Sequence, residues 1–159
     1  MSKTLYIVRH AKSSSENTNL KDWERPLLEI GIDRANKISK SLKKKNIHPH
    51  KIISSHALRA LNTAVLFSLN LDYPLNEIEI SHDIYGKKPE NILGLIKKQS
   101  NAISSLMIFG HNPVFTDLYN LLSGEKLIKL STSAVACIEF ESENWSKIDA
   151  KEGNSIFIE

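Results

Sequence analysis

Two arginines and two histidines in this chain could do chemistry together: Arg9, His10, Arg59 and His111. Arg9-His10 directly follows a short apolar run, Thr4-Leu5-Tyr6-Ile7-Val8. Arg59 comes shortly after Lys51-Ile52-Ile53-Ser54-Ser55, and His111 lies in Gly110-His111-Asn112-Pro113 behind the apolar run Ser104–Phe109. An imidazole, with a reference pKa near about 6.5, is largely neutral at pH 7 and carries a free nitrogen lone pair. A guanidinium brings fixed positive charge and a planar fork of donors that lysine cannot match. Two of each at one place would make an anion site suited to the tetrahedral dianion of a phosphoryl group. Neighbouring arginines would lower the pKa of His10 further, since a second positive charge there is unfavourable. A neutral imidazole can attack phosphorus to form a phosphohistidine, which water then cleaves. Taken singly, each residue could simply end a strand; their recurrence at three equivalent junctions favours a catalytic reading.

The elements that must position these residues follow from the hydrophobic period. Leu5–Val8, Lys51–Ser54, Glu77–Ile80 and Ser104–Phe109 read as short strands. Ile32, Ala35, Ile38 and Leu42 fall at helical steps, as do Leu58, Leu61 and Val65 within a helix expected over Ala57–Leu69. Pro89 opens a further helix carrying Ile92, Leu93 and Ile96. Asn112 can cap the next one, with Pro113 at its first position and Val114, Phe115, Leu118, Leu121 and Leu122 on its apolar side. Ala134–Phe140, Trp145–Asp149 and Ser155–Ile158 read as tail strands, expected to add antiparallel edges. The alternation predicts an α/β domain with a central, mostly parallel sheet. In such sheets chemistry sits where strands end and helices begin, and helix N-termini add N–H donors and positive potential there.

Composition narrows the function classes. The chain has 159 residues, 41% hydrophobic and 25% charged, with a formal net charge of +3. That length reads as one domain, 1–159, able to bury roughly 68–70% of its unfolded surface without a metal or disulfide. The mild positive charge falls short of a nucleic-acid binder, and the lysines at 37, 40 and 43–45 read as a solvated helix face and end. A single cysteine excludes an internal disulfide. Cys137 sits in an alternating strand without the phosphate-binding loop of a cysteine phosphatase, and reads as an inert core thiol. His48 and His50 flank Pro49 in an exposed loop with no third metal ligand evident. No signal peptide or membrane-length apolar segment is seen, so the expected location is cytoplasmic, with no membrane partner.

The motifs, taken in order, resemble the histidine phosphatase superfamily. Leu5-Tyr6-Ile7-Val8-Arg9-His10-Ala11-Lys12-Ser13-Ser14 is similar to its signature, and the Ala-Lys-Ser continuation to its SixA-type phosphohistidine phosphatases. Arg25-Pro26-Leu27 with Gly31, Ser54–Ala60 with Thr63-Ala64, Gly110–Pro113 and Ser131–Ala134 follow. The resemblance implies a three-layer α/β/α, phosphoglycerate mutase-like fold. It implies His10 as nucleophile, with Arg9, Arg59 and His111 around the phosphoryl group. Asp83, in Ser81-His82-Asp83-Ile84-Tyr85, stands where the family usually carries an acid and is the candidate proton donor. Glu77 is the alternative, with Asp22 and Glu24 behind it. Arg25 reads first as a bridge from its loop to a carboxylate and second as a substrate contact. His56 and His82, beside these residues, could line the pocket mouth, and Trp23 could flank it.

No cofactor or metal is expected, because phosphoryl transfer rests mainly on positioning and electrostatics. The chain has no spare length for the insertion that forms a lid in mutase-like relatives. An open pocket favours a histidine-phosphorylated partner protein, such as a phosphotransfer domain. The rivals are a phosphatase of small phosphate monoesters and a non-catalytic phosphate- or phosphohistidine-binding module. Relatives often carry a polar residue where this chain has Leu61, a departure that touches packing rather than chemistry.

Overall fold

Leu5 and Ile7 point to one side of strand β1 (Lys3–Arg9) and Tyr6 and Val8 to the other, and all four are buried. A strand whose successive side chains are all buried must be covered on both faces. The computed structural model shows how. It describes residues 1–15 and 19–159; residues 16–18, within the polar stretch 13–19, lie outside the described residues. The further strands are β2 (Lys51–Ser55), β3 (Glu79–Ser81), β4 (Ser105–Gly110), β5 (Val135–Phe140) and β6 (Asn154–Ile158). With β1 they form a six-stranded sheet in the order β3-β2-β4-β1-β5-β6. The pairings β2–β3, β2–β4 and β1–β4 are parallel, whereas β1–β5 and β5–β6 are antiparallel. The fold is therefore the expected α/β architecture with a mostly parallel sheet. β5 lies inside the sheet, so of the tail strands only β6 forms an edge.

Helices α1 (Glu29–Lys44) and α2 (Leu58–Asn70) cover one face, and α3 (Pro89–Lys97) and α4 (Val114–Ser123) cover the other. Ala35, Leu42 and Phe67 pack with Tyr6, Val8, Ile52, Met107 and Phe109. On the opposite side, Ile92, Ile96, Phe115 and Leu118 pack with Leu5, Ile7, Ile53, Leu106 and Ile108. These two cores give the three layers. Cys137 is buried in the first core, where desolvation pushes its thiol up to about 12. No described helix is long and apolar enough to cross a membrane.

Four expectations about elements need correction. In α2 the buried positions are Arg59, Ala60, Thr63, Ala64, Phe67 and Ser68; Leu58 is exposed, and Leu61 and Val65 are only partly covered. Small side chains let this helix approach the sheet closely, and the same face aims Arg59 inward. Ile32 is 36% exposed, and Gly31 takes the inner position at the start of α1. A Cβ on Gly31 would lie 2.3 Å from the Lys12 carbonyl oxygen, so only glycine allows α1 to press against the segment after His10. Trp145–Asp149 is no strand: Trp145–Lys147 forms a 3-10 turn, and the Trp145 indole is buried, donating to the Ile103 carbonyl at 2.8 Å. Glu77 closes another 3-10 turn, Leu75–Glu77, ahead of the short β3.

Candidate active site

The strands β2, β4 and β1 are adjacent and parallel, so their C-terminal ends share one sheet edge. Arg9 pairs in register with Gly110, and Ser54 with Phe109. That arrangement brings Arg9-His10, Ser55–Arg59 and His111 together. Gly110 permits it, since a Cβ there would fall 2.5 Å from the Phe115 ring and 2.6 Å from an Ile84 methyl. The chain crosses directly between the first and last junctions where the His10 N–H donates to the Gly110 carbonyl at 3.0 Å.

His10 is 8% exposed, and its Nδ1 lies 2.7 Å from the Ala11 carbonyl oxygen. A carbonyl only accepts, so Nδ1 carries the proton and Nε2 keeps its lone pair. The His10 pKa is lowered to about 4, first by burial, with Arg59, Arg9 and Arg25 adding to the effect and the Ala11 carbonyl opposing it. The arginines expected to depress it do so, but desolvation leads. The His111 ring lies 5.3 Å from that of His10, centroid to centroid. His111 Nε2 is 2.8 Å from Ser55 Oγ, which itself accepts from the Ala57 N–H. A Ser55 hydroxyl donating to Nε2 places the His111 proton on Nδ1, an atom buried without a partner among the described residues. Burial, followed by Arg59 and His10, lowers the His111 pKa to about 3.

Arg9 and Arg59 are anchored at their tips. Arg9 Nη1 donates to the Leu130 carbonyl at 3.0 Å. Arg59, 5% exposed, donates through Nη1 to the Asp22 carbonyl at 2.7 Å and through Nη2 to Asp22 Oδ2 at 3.0 Å. The Nε atoms of both arginines are buried without a partner among the described residues. Thr63 ties Arg59 to the nucleophile's segment: its Oγ1 accepts from the Ala11 N–H at 2.9 Å and donates to the Arg59 carbonyl at 2.6 Å. Behind them, the Ser133 N–H meets the carbonyls of Arg9 and His10 at 3.1 and 3.2 Å, with Ser133 held at φ +64°.

Asp22 is the acid the structure joins to this cluster. Its Oδ2 accepts from both Arg59 and the Tyr85 hydroxyl, and its Oδ1 lies 3.3 Å from Arg25 Nε. The Tyr85 hydrogen bond, then Arg59 and Arg25, hold the Asp22 carboxyl below the usual carboxylate range against some desolvation. Arg25 thus bridges its loop to a carboxylate. Asp83 sits on an exposed turn where its N–H meets Ser81 Oγ, and Glu77 is exposed. Among the described residues, no ion pair or hydrogen bond links either carboxylate to the four central side chains. Tyr85 and Ser55 were assigned no role from sequence. The signal available was their place inside the quoted motifs, one at a strand end and one two residues beyond Asp83.

Beyond Tyr85 the rings continue. Tyr85 stands edge-on to His111 at 5.3 Å and to His56 at 5.0 Å, and His56 stacks on His82 at 4.1 Å. Trp23 is 42% exposed, under the Lys21 ammonium. His50 meets Ser104 and Ser105 through Nδ1. A groove of about 610 Å³ between α1 and Glu159 includes none of the four central residues. Smaller clefts of about 270 and 420 Å³ flank them, one lined by His111, Lys87 and Lys88, the other by Arg9, Asp117 and Lys129. Chemistry rather than volume selects the site, because Arg9 Nε, Arg59 Nε and His111 Nδ1, all buried without a partner among the described residues, lie together in the cluster.

Three comparisons place this chain. The model of the histidine phosphatase superfamily (branch 1) matches residues 5–95. An uncharacterized chloroplastic protein of Arabidopsis thaliana is 29% identical over 161 residues, covering 96% of this chain and 73% of that protein. Among solved structures, a candidate phosphohistidine phosphatase SixA from Nakamurella multipartitia superposes with a TM-score of 0.86 at 17% identity, covering 100% of this chain and 96% of that one. The protein histidine phosphatase SixA complexed with tungstate gives a TM-score of 0.78 at 23% identity, covering 98% and 95%. At these identities the two structures establish likeness of fold.

Proposed function

Because the chain belongs to the histidine phosphatase superfamily (branch 1), we propose that it hydrolyses phosphoryl groups through a covalent intermediate on His10, with protein phosphohistidine as its substrate. The observation that carries the reading is the Nδ1–H of His10 held on the Ala11 carbonyl, which leaves Nε2 unprotonated beside two guanidiniums and His111. Nε2 attacks phosphorus, and the bond to the substrate nitrogen breaks with its electron pair going to that nitrogen, which takes up a proton. Water then attacks the phosphorus on His10, releasing inorganic phosphate and restoring the imidazole. Arg9 and Arg59 face the nonbridging oxygens through their buried Nε–H groups, and the His111 Nδ1–H adds a third donor.

Neutral imidazoles and fixed guanidiniums supply this stabilisation without a metal ion. A tetrahedral oxyanion is the right shape for such donors, and tungstate bound to the protein histidine phosphatase SixA of like fold supports the comparison. For a phosphohistidine substrate the departing imidazole leaves well once protonated, so a dedicated acid such as Asp83 matters less. Asp22 serves to hold Arg59. The same reading takes residues 1–159 as one catalytic domain acting on a partner protein in the cytoplasm. Rapid quench with a ³²P-labelled phosphohistidine protein tests it. The expected result is a transient, acid-labile phosphoenzyme, absent in His10→Ala and unaffected by EDTA. Binding of the labelled protein without a phosphoenzyme would mark a reader rather than an enzyme.

A further inference from the structure

The row of rings that starts at the nucleophile does not stop at the phosphoryl-binding cluster. It runs from His10 to His111, then to Tyr85, His56 and His82, with successive centroids 5.3, 5.3, 5.0 and 4.1 Å apart. Exposure rises along it: His10 and His111 are buried, Tyr85 and His56 partly covered, and His82 exposed. The outer three come from two different junctions, His56 between β2 and α2, and His82 and Tyr85 between β3 and α3. Their meeting is therefore tertiary. An exposed His82 stacked on His56 covers little of the core, so packing alone gives weak grounds for it.

We propose that Tyr85, His56 and His82 form a subsite for a flat aromatic leaving group at the mouth of the phosphoryl site. This wall would bind the imidazole ring of a phosphohistidine and discriminate against phosphoryl groups carried on alkyl oxygens. The identity of the ring rests on the proposed function; the preference for a ring does not. Offset or edge-on aromatic contacts favour such a ring beyond simple area burial. Tyr85 also offers a polar contact. Its hydroxyl proton is given to Asp22, so the phenolic oxygen retains acceptor capacity for a ring N–H. Protonating the other nitrogen of the substrate ring before the N–P bond breaks makes the ring cationic, so that it departs as neutral imidazole, and the nearby Asp22 carboxylate favours that cationic state. His56 is held below the ordinary histidine range by burial and then by His82, and so does not repel it at pH 7.

Phenylphosphonate and methylphosphonate test the subsite without turnover, since each carries the same anionic head with and without a ring. Calorimetric titration of the full chain should show phenylphosphonate binding roughly 10-fold more tightly, the scale of one good aromatic contact. The ratio should fall towards one in His56→Ala/His82→Ala. It should fall partway in His82→Ala, a change at an exposed position that spares the fold, and recover in His82→Phe. Equal wild-type affinities, failure to bind either ligand, or a ratio unchanged in the double variant would each overturn the subsite. Turnover separates this outcome from failure of the phosphohistidine reading. The ratio of kcat/KM for phosphohistidine over phosphoramidate, which shares the N–P bond but has no ring, should drop in the same variants. A wild-type protein that prefers phenylphosphonate yet forms no phosphoenzyme from phosphohistidine would keep the ring subsite and refute the substrate.

Discussion

His10 shows how a single side chain is prepared by what surrounds it. Its burial and its cationic neighbours act in the same direction, and both favour the neutral ring. With its pKa near about 4, the imidazole stays neutral from pH 7 down to the region of pH 4, where the proton returns and the nucleophile is lost. Ring-nitrogen NMR of the phosphate-free protein should find Nδ1 protonated and Nε2 bare at pH 6, with a midpoint well below about 6.5. A midpoint at the ordinary value would contradict the buried geometry. Arg59 is the second test. Arg59→Ala should lower kcat/KM by about 10²–10³, the scale of one lost transition-state donor. Asp22→Asn, which removes the charge that holds the Arg59 fork, should lower it less, and Tyr85→Phe less again. Arg9, His10, Arg59 and His111 were legible in the sequence because three of them sit at a strand end and Arg59 lies in the first turn of the helix after one. The ties of Asp22 to Arg59 and Tyr85 were not, since they span 37 and 63 residues and depend on loops that no local pattern places.

Helix α2 illustrates the limit at the level of elements. Its existence followed from periodicity, with bounds within one residue at each end, but of the most apolar stripe Leu58 is exposed and Leu61 and Val65 are only partly covered. In its first two turns the inner stripe holds Ala60, Thr63 and Ala64, because there the helix must lie close to the sheet and carry Arg59 into the site, while Phe67 fills the core farther along. Hydrophobicity alone ranks leucine over alanine and so points to the wrong face; volume decides when the gap is narrow. Thr63 makes the consequence measurable. Thr63→Ala would leave the buried Ala11 N–H without its acceptor, a loss of about 1–3 kcal/mol, readable as a lower midpoint in urea unfolding. Thr63→Ser keeps the hydroxyl and should retain most of the stability. Because Ala11 also fixes the His10 tautomer through its carbonyl, Thr63→Ala should reduce turnover even where the protein remains folded. An alanine variant as stable and active as the parent would show that the tie is dispensable.

Across the whole molecule, the sheet edge that assembles the site also makes it a burden on stability. The parallel pairing of β2, β4 and β1 was foreseeable from strand-helix alternation, whereas the insertion of antiparallel β5 between β1 and β6 was not, since β1 lies at the other end of the sequence. That sheet buries two imidazoles with cations around them. In the unfolded chain His10 and His111 take up protons near about pH 6.5, but in the folded protein only near about 4 and about 3. The unfolded state therefore binds more protons below pH 6.5, and stability must fall as pH drops from there towards the folded values. For His10 alone the full loss is on the order of 3 kcal/mol. Thermal melts between pH 7 and 4 should show a declining Tm whose slope is reduced in His10→Asn, a side chain that does not titrate. An oxyanion should act in the opposite sense at pH 7. Tungstate or phosphate at 100 times its Kd should add about 2.7 kcal/mol, because the ligand binds the donors that only the folded chain assembles, Arg9 Nε, Arg59 Nε and His111 Nδ1. Loss of that gain in Arg59→Ala would assign it to the site, and an equal gain there would assign it to general ion effects.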